Sequence, residues 1–121
     1  MFEIFVEHTF ASAHFLRNYY GKCENLHGHN YRVQAGMIGE LDENGMLHDF
    51  ADLKGRLRKT AAYFDHQLIN DLKPFDVVNP SAENIAKFIF DDIQRGIEPK
   101  KLKYVRVWET DTSCAEYRAG I

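Results

Sequence analysis

Cysteine and proline are scarce in this 121-residue chain, which contains two and three of them, and its eight glycines are no more than an ordinary share. So little cysteine argues against a disulfide-stapled scaffold, and little proline with an ordinary share of glycine argues against a collagen-like or low-complexity disordered chain. No apolar run reaches the length of a membrane span. No positively charged leader precedes an apolar core, because Glu3 and Glu7 interrupt Phe2, Ile4 and Val6. A cytoplasmic protein is expected, with Cys23 and Cys114 read as thiols. Excess basic charge is also lacking: Lys and Arg number 15 against 18 Asp and Glu, a formal net charge of -3. The chain as a whole therefore has no attraction to nucleic acid or an anionic membrane, and any anion site must be local. The strongest basic cluster, Arg56 to Lys59, is read as an exposed helix face.

What is present is an ordinary packing composition, 45% hydrophobic and 27% charged. Surface scaling gives roughly 6,700 Å² folded against about 20,000 Å² unfolded, enough burial for one domain over residues 1–121. Phe2, Ile4, Val6, His8 and Phe10 alternate with Glu3, Phe5, Glu7 and Thr9, which predicts a strand whose first face carries through Ser12 to His14. A second alternation, Asn30 to Gly39, predicts its hairpin partner, and the aperiodic stretch Phe15 to Gly28 is the connecting loop. Glu40 to Leu47 is a turn cluster. Asp49 then caps a helix whose stripe is Phe50, Leu53, Leu57, Ala61 and Phe64, placing Asp65 and His66 near its end. After an irregular stretch, Asn70 to Asn79, Ser81 caps a second helix carrying Ile85, Phe88, Ile89 and Ile93 and ending at Gly96. Leu102 to Thr110 and Ala115 to Arg118 read as the last strands. The order ββααββ fits an α+β fold, a four-stranded antiparallel sheet with two helices packed on one face. Phe5, Val105 and Val107, set opposite Tyr104 and Trp108, make both strand faces apolar, so an oligomer covering the helix-free face is expected.

His27-Gly28-His29 is the sharpest local signal. Two residues apart on an extended segment means one face, so both imidazoles can converge on one ion. His14, at the end of the first strand, can meet them across the hairpin ladder. Three neutral imidazoles with a fourth position open correspond to catalytic zinc chemistry. Histidines this close also occur as surface or hydrogen-bonded residues, and spacing alone leaves both readings open. His8, about 20 Å along the strand from His14, is too far to join them. It is read as structural or exposed, and His48 as a local polar contact beside Asp49.

Cys23, four residues before His27, lies in the loop that can fold over such a site, where a cation and histidine would lower its pKa and favour a thiolate. Asp65-His66 reads either as a polar helix end or as a carboxylate orienting an imidazole. Glu109 closes a strand beside apolar surface and has the chemistry to accept two parallel N–H bonds from an amino-pyrimidinone edge. Glu116 is read as solvated, and Tyr104 and Trp108 as core or interface.

Six motifs together resemble the 6-pyruvoyltetrahydropterin synthase family, most closely its bacterial queuosine-pathway branch, which forms 6-carboxy-5,6,7,8-tetrahydropterin. They are Phe10 to His14 (FASAH), Cys23 to His29 (CENLHGH), Asp49 to Lys54 (DFADLK), Asp65-His66, Pro80 to Asn84 (PSAEN) and Glu109-Thr110. The resemblance implies Zn2+ held by His14, His27 and His29, Cys23 as base in a proton relay with Asp65 and His66, and Glu109 anchoring the pterin. It implies the tunnelling fold, with trimers closing a twelve-stranded barrel and stacking into a homohexamer. Active sites would lie at subunit interfaces, with Glu109 completing a neighbour's zinc site. The reaction implied is that of a lyase converting 7,8-dihydroneopterin 3'-triphosphate to the carboxytetrahydropterin, acetaldehyde and triphosphate. Lys22, Arg17 and Arg118 are candidates for local positive potential. Ser81 stands where the family more often has threonine and keeps the capping hydroxyl; Glu24, beside Cys23, adds an acid near the base. The competing readings are a pyruvoyl-forming or dihydroneopterin-cleaving enzyme and a non-catalytic pterin- or metal-binding module.

Overall fold

The structure, a computed structural model, describes residues 1–18 and 25–120. The chain runs β1 (Phe2–His14), β2 (His27–Gly39), α1 (Phe50–Phe64), a short 3-10 turn (Ile69–Asp71), α2 (Ala82–Ile97), β3 (Lys101–Thr110) and β4 (Ser113–Arg118). The strands form one antiparallel sheet in the order β1-β2-β3-β4. This is the expected ββααββ arrangement.

Local chemistry starts both helices where the sequence predicts. The Asp49 carboxylate accepts from the Ala51 N–H at 2.8 Å, and the Ser81 hydroxyl accepts from the Asn84 N–H at 3.2 Å. Such caps contribute about 1 kcal/mol each. From those starts α1 buries Leu53, Leu57, Ala61 and Phe64, and α2 buries Ile85, Ala86, Ile89, Phe90 and Ile93. They close over Val6, Phe10, Tyr31, Val33, Val105 and Val107, the inward residues of β1, β2 and β3. Each such side chain contributes roughly 1.5–3 kcal/mol on burial, so this one layer of contact accounts for the sheet's fixed helix side.

Element ends differ from expectation for physical reasons. β2 starts at His27, before Asn30, because the ladder with β1 runs unbroken to the pair His14↔His27. β4 likewise starts at Ser113, before Ala115. α2 passes through Gly96 to Ile97. Gly96 is a packing position under the Arg56 guanidinium of α1, and the stop comes from Pro99, which disfavours helical backbone at Glu98.

The helix-free face also differs. Phe5 pairs with Gly36, and Gly36 with Tyr104, so Phe5 shares the face of Tyr104 and lies opposite to Val105 and Val107. Gly36 has no side chain because the Tyr104 ring lies directly on its backbone. The neighbouring register row is polar from edge to edge: Glu7↔Gln34↔Arg106↔Glu116. Gln34 donates to Glu7 at 2.7 Å and accepts from Tyr104 at 2.9 Å and Arg106 at 2.8 Å. Glu116, expected to be solvated, accepts from Arg106 at 2.5 Å and from Arg118, and these partners hold its carboxyl below the ordinary value despite burial. Cross-strand register brought these charges together, which single-strand alternation cannot foresee. Among the described residues, no helix is long and apolar enough to cross a membrane.

Candidate metal centre

The hairpin register assembles the site. His14 pairs with His27, and Ser12 with His29, at the end of β1 where β2 begins. The three rings stand edge to face, with centroids 4.5 Å (His14–His27), 5.2 Å (His14–His29) and 4.7 Å (His27–His29) apart. One ring nitrogen from each lies within 4.8 Å of the other two. His14 is 1% exposed, and burial pushes the His14 and His29 imidazoles below the ordinary histidine value, towards the neutral form a metal requires.

Hydrogen bonds select the nitrogen that faces inward. His14 donates from Nδ1 to the Pro80 carbonyl at 2.7 Å, and His27 donates from Nδ1 to the Asn25 carbonyl at 2.7 Å. Both rings then present an Nε2 lone pair, and those two nitrogens stand 2.9 Å apart. Two lone pairs at that distance repel unless a proton or cation lies between them. His29 Nε2 is buried without a partner among the described residues. Opposed lone pairs, an orphaned third nitrogen and second-nitrogen hydrogen bonds to carbonyls fit a divalent cation that favours imidazole. Beneath the rings lies Tyr31, edge-on to His14 and His29 and stacked on Phe10 at 4.8 Å.

Glu109 reaches this centre from β3. In the β3–β4 ladder Trp108 pairs with Cys114 and Thr110 with Ser113, which leaves Glu109 as the extra residue of a bulge. Bulges re-aim side chains near sites. Here the carboxylate lies 3.8 Å from His14 Nε2 and 3.8 Å from His29 Nε2. These two imidazoles belong to its own chain. The carboxylate also lines an open hollow of about 230 Å³ between the start of α2 and β4, with Ser81, Glu83 and Cys114.

Asp65 and His66 are held to the outer edge of β1. Asp65 caps the end of α1, and His66 follows with φ of 57°, a left-handed conformation uncommon for a side-chain-bearing residue. Two contacts hold that turn: the His66 N–H donates to the Ala11 carbonyl at 2.7 Å, and the Ala11 N–H donates to Asp65 Oδ1 at 3.0 Å. The other carboxylate oxygen is 3.0 Å from His66 Nδ1. The Ala11 N–H, and then His66, hold the Asp65 carboxyl below the ordinary carboxylate value. The His66 ring is 82% exposed, so it is an oriented imidazole that reaches solvent, three strand positions before His14.

Cys23 lies outside the described residues. Of the other histidines, His8 is half-buried on β1, and His48 makes the expected local contact, to Asp52 at 2.6 Å, and a long-range one, with Lys100 at 3.1 Å. Reading by motif missed the tethers of the loop's first arm. Asn70 brackets Phe15, accepting from its N–H and donating to its carbonyl at 3.0 Å each, and Asn79 brackets Arg17 in the same way at 2.8 and 3.1 Å. Two asparagines in an aperiodic stretch were the available signal.

The model of the family described as 6-pyruvoyl tetrahydropterin synthase matches residues 3–120. The chain is similar to 6-carboxy-5,6,7,8-tetrahydropterin synthase of Haemophilus influenzae, 36% identical over 98% of this chain and 99% of that one. It is also similar to the human 6-pyruvoyl tetrahydrobiopterin synthase, 36% identical over 82% of this chain and 72% of that one. In structure it is similar to 6-pyruvoyl tetrahydropterin synthase of Caenorhabditis elegans, with a TM-score of 0.88, 26% identity, and coverage of 98% of this chain and 96% of that chain. With the fold, the hairpin of histidines and a match running almost end to end, the chain belongs to the 6-pyruvoyl tetrahydropterin synthase family.

Proposed function

We propose that the protein is a 6-carboxy-5,6,7,8-tetrahydropterin synthase, a zinc-dependent lyase acting on 7,8-dihydroneopterin 3'-triphosphate and releasing acetaldehyde and triphosphate, within queuosine biosynthesis. The observation that carries this reading is the convergence of three imidazoles, two of them held in the metal-binding tautomer by carbonyls, in a chain that matches a relative of that name along both full lengths.

In this reading His14, His27 and His29 hold the metal. Bound there, zinc would supply Lewis acidity toward substrate side-chain oxygens. Asp65 orients His66, whose exposed ring moves protons between substrate side chain and ring, and Cys23 acts as the partner base. Glu109 accepts the pterin's N–H groups. Burial of His14 keeps its imidazole neutral, so protons are carried by the exposed His66 and not by the metal's ligands. The assembly proposed with this chemistry is a homohexamer of two stacked trimers, in keeping with β1 and β4 being the sheet's edges and with the continuous polar row across the helix-free face.

The test is product identity. Zinc-loaded protein given dihydroneopterin triphosphate should yield a carboxylated tetrahydropterin, acetaldehyde and triphosphate by mass spectrometry. A pyruvoyl product would establish the second reading, which the likeness to the human and nematode proteins favours; glycolaldehyde would indicate cleavage chemistry. Stoichiometric pterin binding without turnover would leave a binding module.

A further inference from the structure

The β1–β2 ladder ends at the pair His14↔His27, so the chain beyond it needs other partners for its backbone. The segment that follows α1 supplies them along the outer edge. The Ala11 N–H donates to Asp65 and the Ala13 N–H to the Gln67 carbonyl, at 3.0 and 3.1 Å. At Phe15 the partner is the Asn70 side chain, and at Arg17 it is the Asn79 side chain; each accepts from the N–H and donates to the carbonyl of that one residue. Every second residue from 11 to 17 is therefore bonded on one side, the last two by carboxamides in place of a strand. A carboxamide carries an acceptor and a donor side by side, which is what a single residue's N–H and carbonyl require. Asn70 is 5% exposed. The backbone of Asn79 is fixed in turn, its carbonyl accepting from Asn84 Nδ2 and the Ser81 N–H at 2.9 Å each.

Leu16 lies between the two clamped residues. With the backbone held on either side of it, its side chain lines the same hollow as Glu109. The other described residues there are small or acidic, among them Ser81, Glu83, Ser113 and Cys114, so among the described residues Leu16 is the hollow's one large apolar side chain. Ligand sites combine apolar lining with a few polar groups that fix orientation. A flat bicyclic ring whose N–H edge meets Glu109 needs apolar surface for its face, and Leu16 is placed to offer it.

We propose that Leu16 is a specificity-determining residue, the wall on which the ring face of a bound pterin packs, and that Asn79 is a positioning residue acting through it. By holding Arg17, beyond the Asn70 clamp on Phe15, Asn79 keeps Leu16 turned to the hollow. This inference rests on the pterin reading of Glu109.

The probe is neopterin, an unreactive fluorescent pterin, titrated into zinc-loaded wild type, Leu16→Ala, Asn79→Ala and the double variant. Each single variant should weaken binding about tenfold, and the double variant should also lose about tenfold, because the two residues act as one unit. All four proteins should keep one zinc per chain. Hydrogen exchange read by mass spectrometry should be faster over residues 15–17 in Asn79→Ala than in wild type. Asn79→Asp keeps the size and the acceptor for the Arg17 N–H and removes only the donor to its carbonyl; it should show the same pattern, and it guards against an alanine variant that unfolds. Binding by Leu16→Ala within about twofold of wild type would overturn the wall. A loss of about a hundredfold in the double variant would show independent effects and overturn the action of Asn79 through Leu16, as would loss of zinc from Asn79→Ala, which would place its effect at His14. Failure of zinc-loaded wild type to bind neopterin would instead bring down the pterin reading itself, and the exchange result would still decide whether Asn79 holds the arm.

Discussion

His14→Ala and His27→Ala remove equivalent ligands from the proposed metal centre but different amounts of structure. A four-ligand structural zinc site binds with about 10–16 kcal/mol, or about 2.5–4 kcal/mol per ligand. Loss of either imidazole should therefore weaken zinc roughly 10²–10³-fold. The two variants part company in the metal-free fold. His14 is 1% exposed, packs against Tyr31 and donates to the Pro80 carbonyl, tying β1 to the start of α2. Leaving that carbonyl without its donor costs about 1–3 kcal/mol, or about 3–12 °C in Tm for a chain of this size. His27 is only partly buried and donates to Asn25 two residues away, so its removal should move the metal-free Tm by about 2 °C or less. Zinc affinity is read by chelator competition, and Tm by circular dichroism of the metal-free proteins. Zinc affinity within about threefold of wild type in either variant would refute the ligand assignment. Equal Tm losses would refute the distinction between the anchored and the loop-side imidazole.

Asp65→Asn keeps an oxygen acceptor for the Ala11 N–H but removes the charge beside His66; kcat should fall about 100-fold or more with Tm nearly unchanged, and steady-state kinetics showing a loss under about threefold would remove the dyad from the chemistry. In the metal-free protein the buried His14 and the half-buried His29 are held below their ordinary 6.5, so below about pH 6.5 the unfolded chain takes up protons that the folded chain does not, and stability falls as pH is lowered. Asp65, whose carboxyl is also held low, adds a further loss only as pH falls below the ordinary carboxylate value. A Tm that is flat or rising between about pH 7.5 and 5.5 would contradict this sign. Gly36→Ala places a methyl group against the Tyr104 ring and should cost about 1–3 kcal/mol in urea unfolding; an unchanged midpoint would mean that the ring is free to move away.

The amino-acid sequence alone determined the element order, the two capped helices and most of the inward stripe of each, because these depend on spacing within a few residues: Asp49 and Ser81 cap locally, and Leu53, Leu57 and Ala61 share a face by helical period alone, whereas Phe50, expected on that stripe, lies exposed at the first position of α1. It also determined that His27 and His29 share a face, since a strand has period two. Tertiary structure alone decided the rest. The register His14↔His27 set three imidazoles around one point, the carbonyls of Pro80 and Asn25 chose which nitrogens face inward, and the bulge at Glu109 turned a strand-end carboxylate onto its own chain's histidines. Glu116 and Phe5 were misplaced on sequence grounds for the same reason: which residue lies opposite another across a sheet depends on pairing between distant segments, and no local period carries that information.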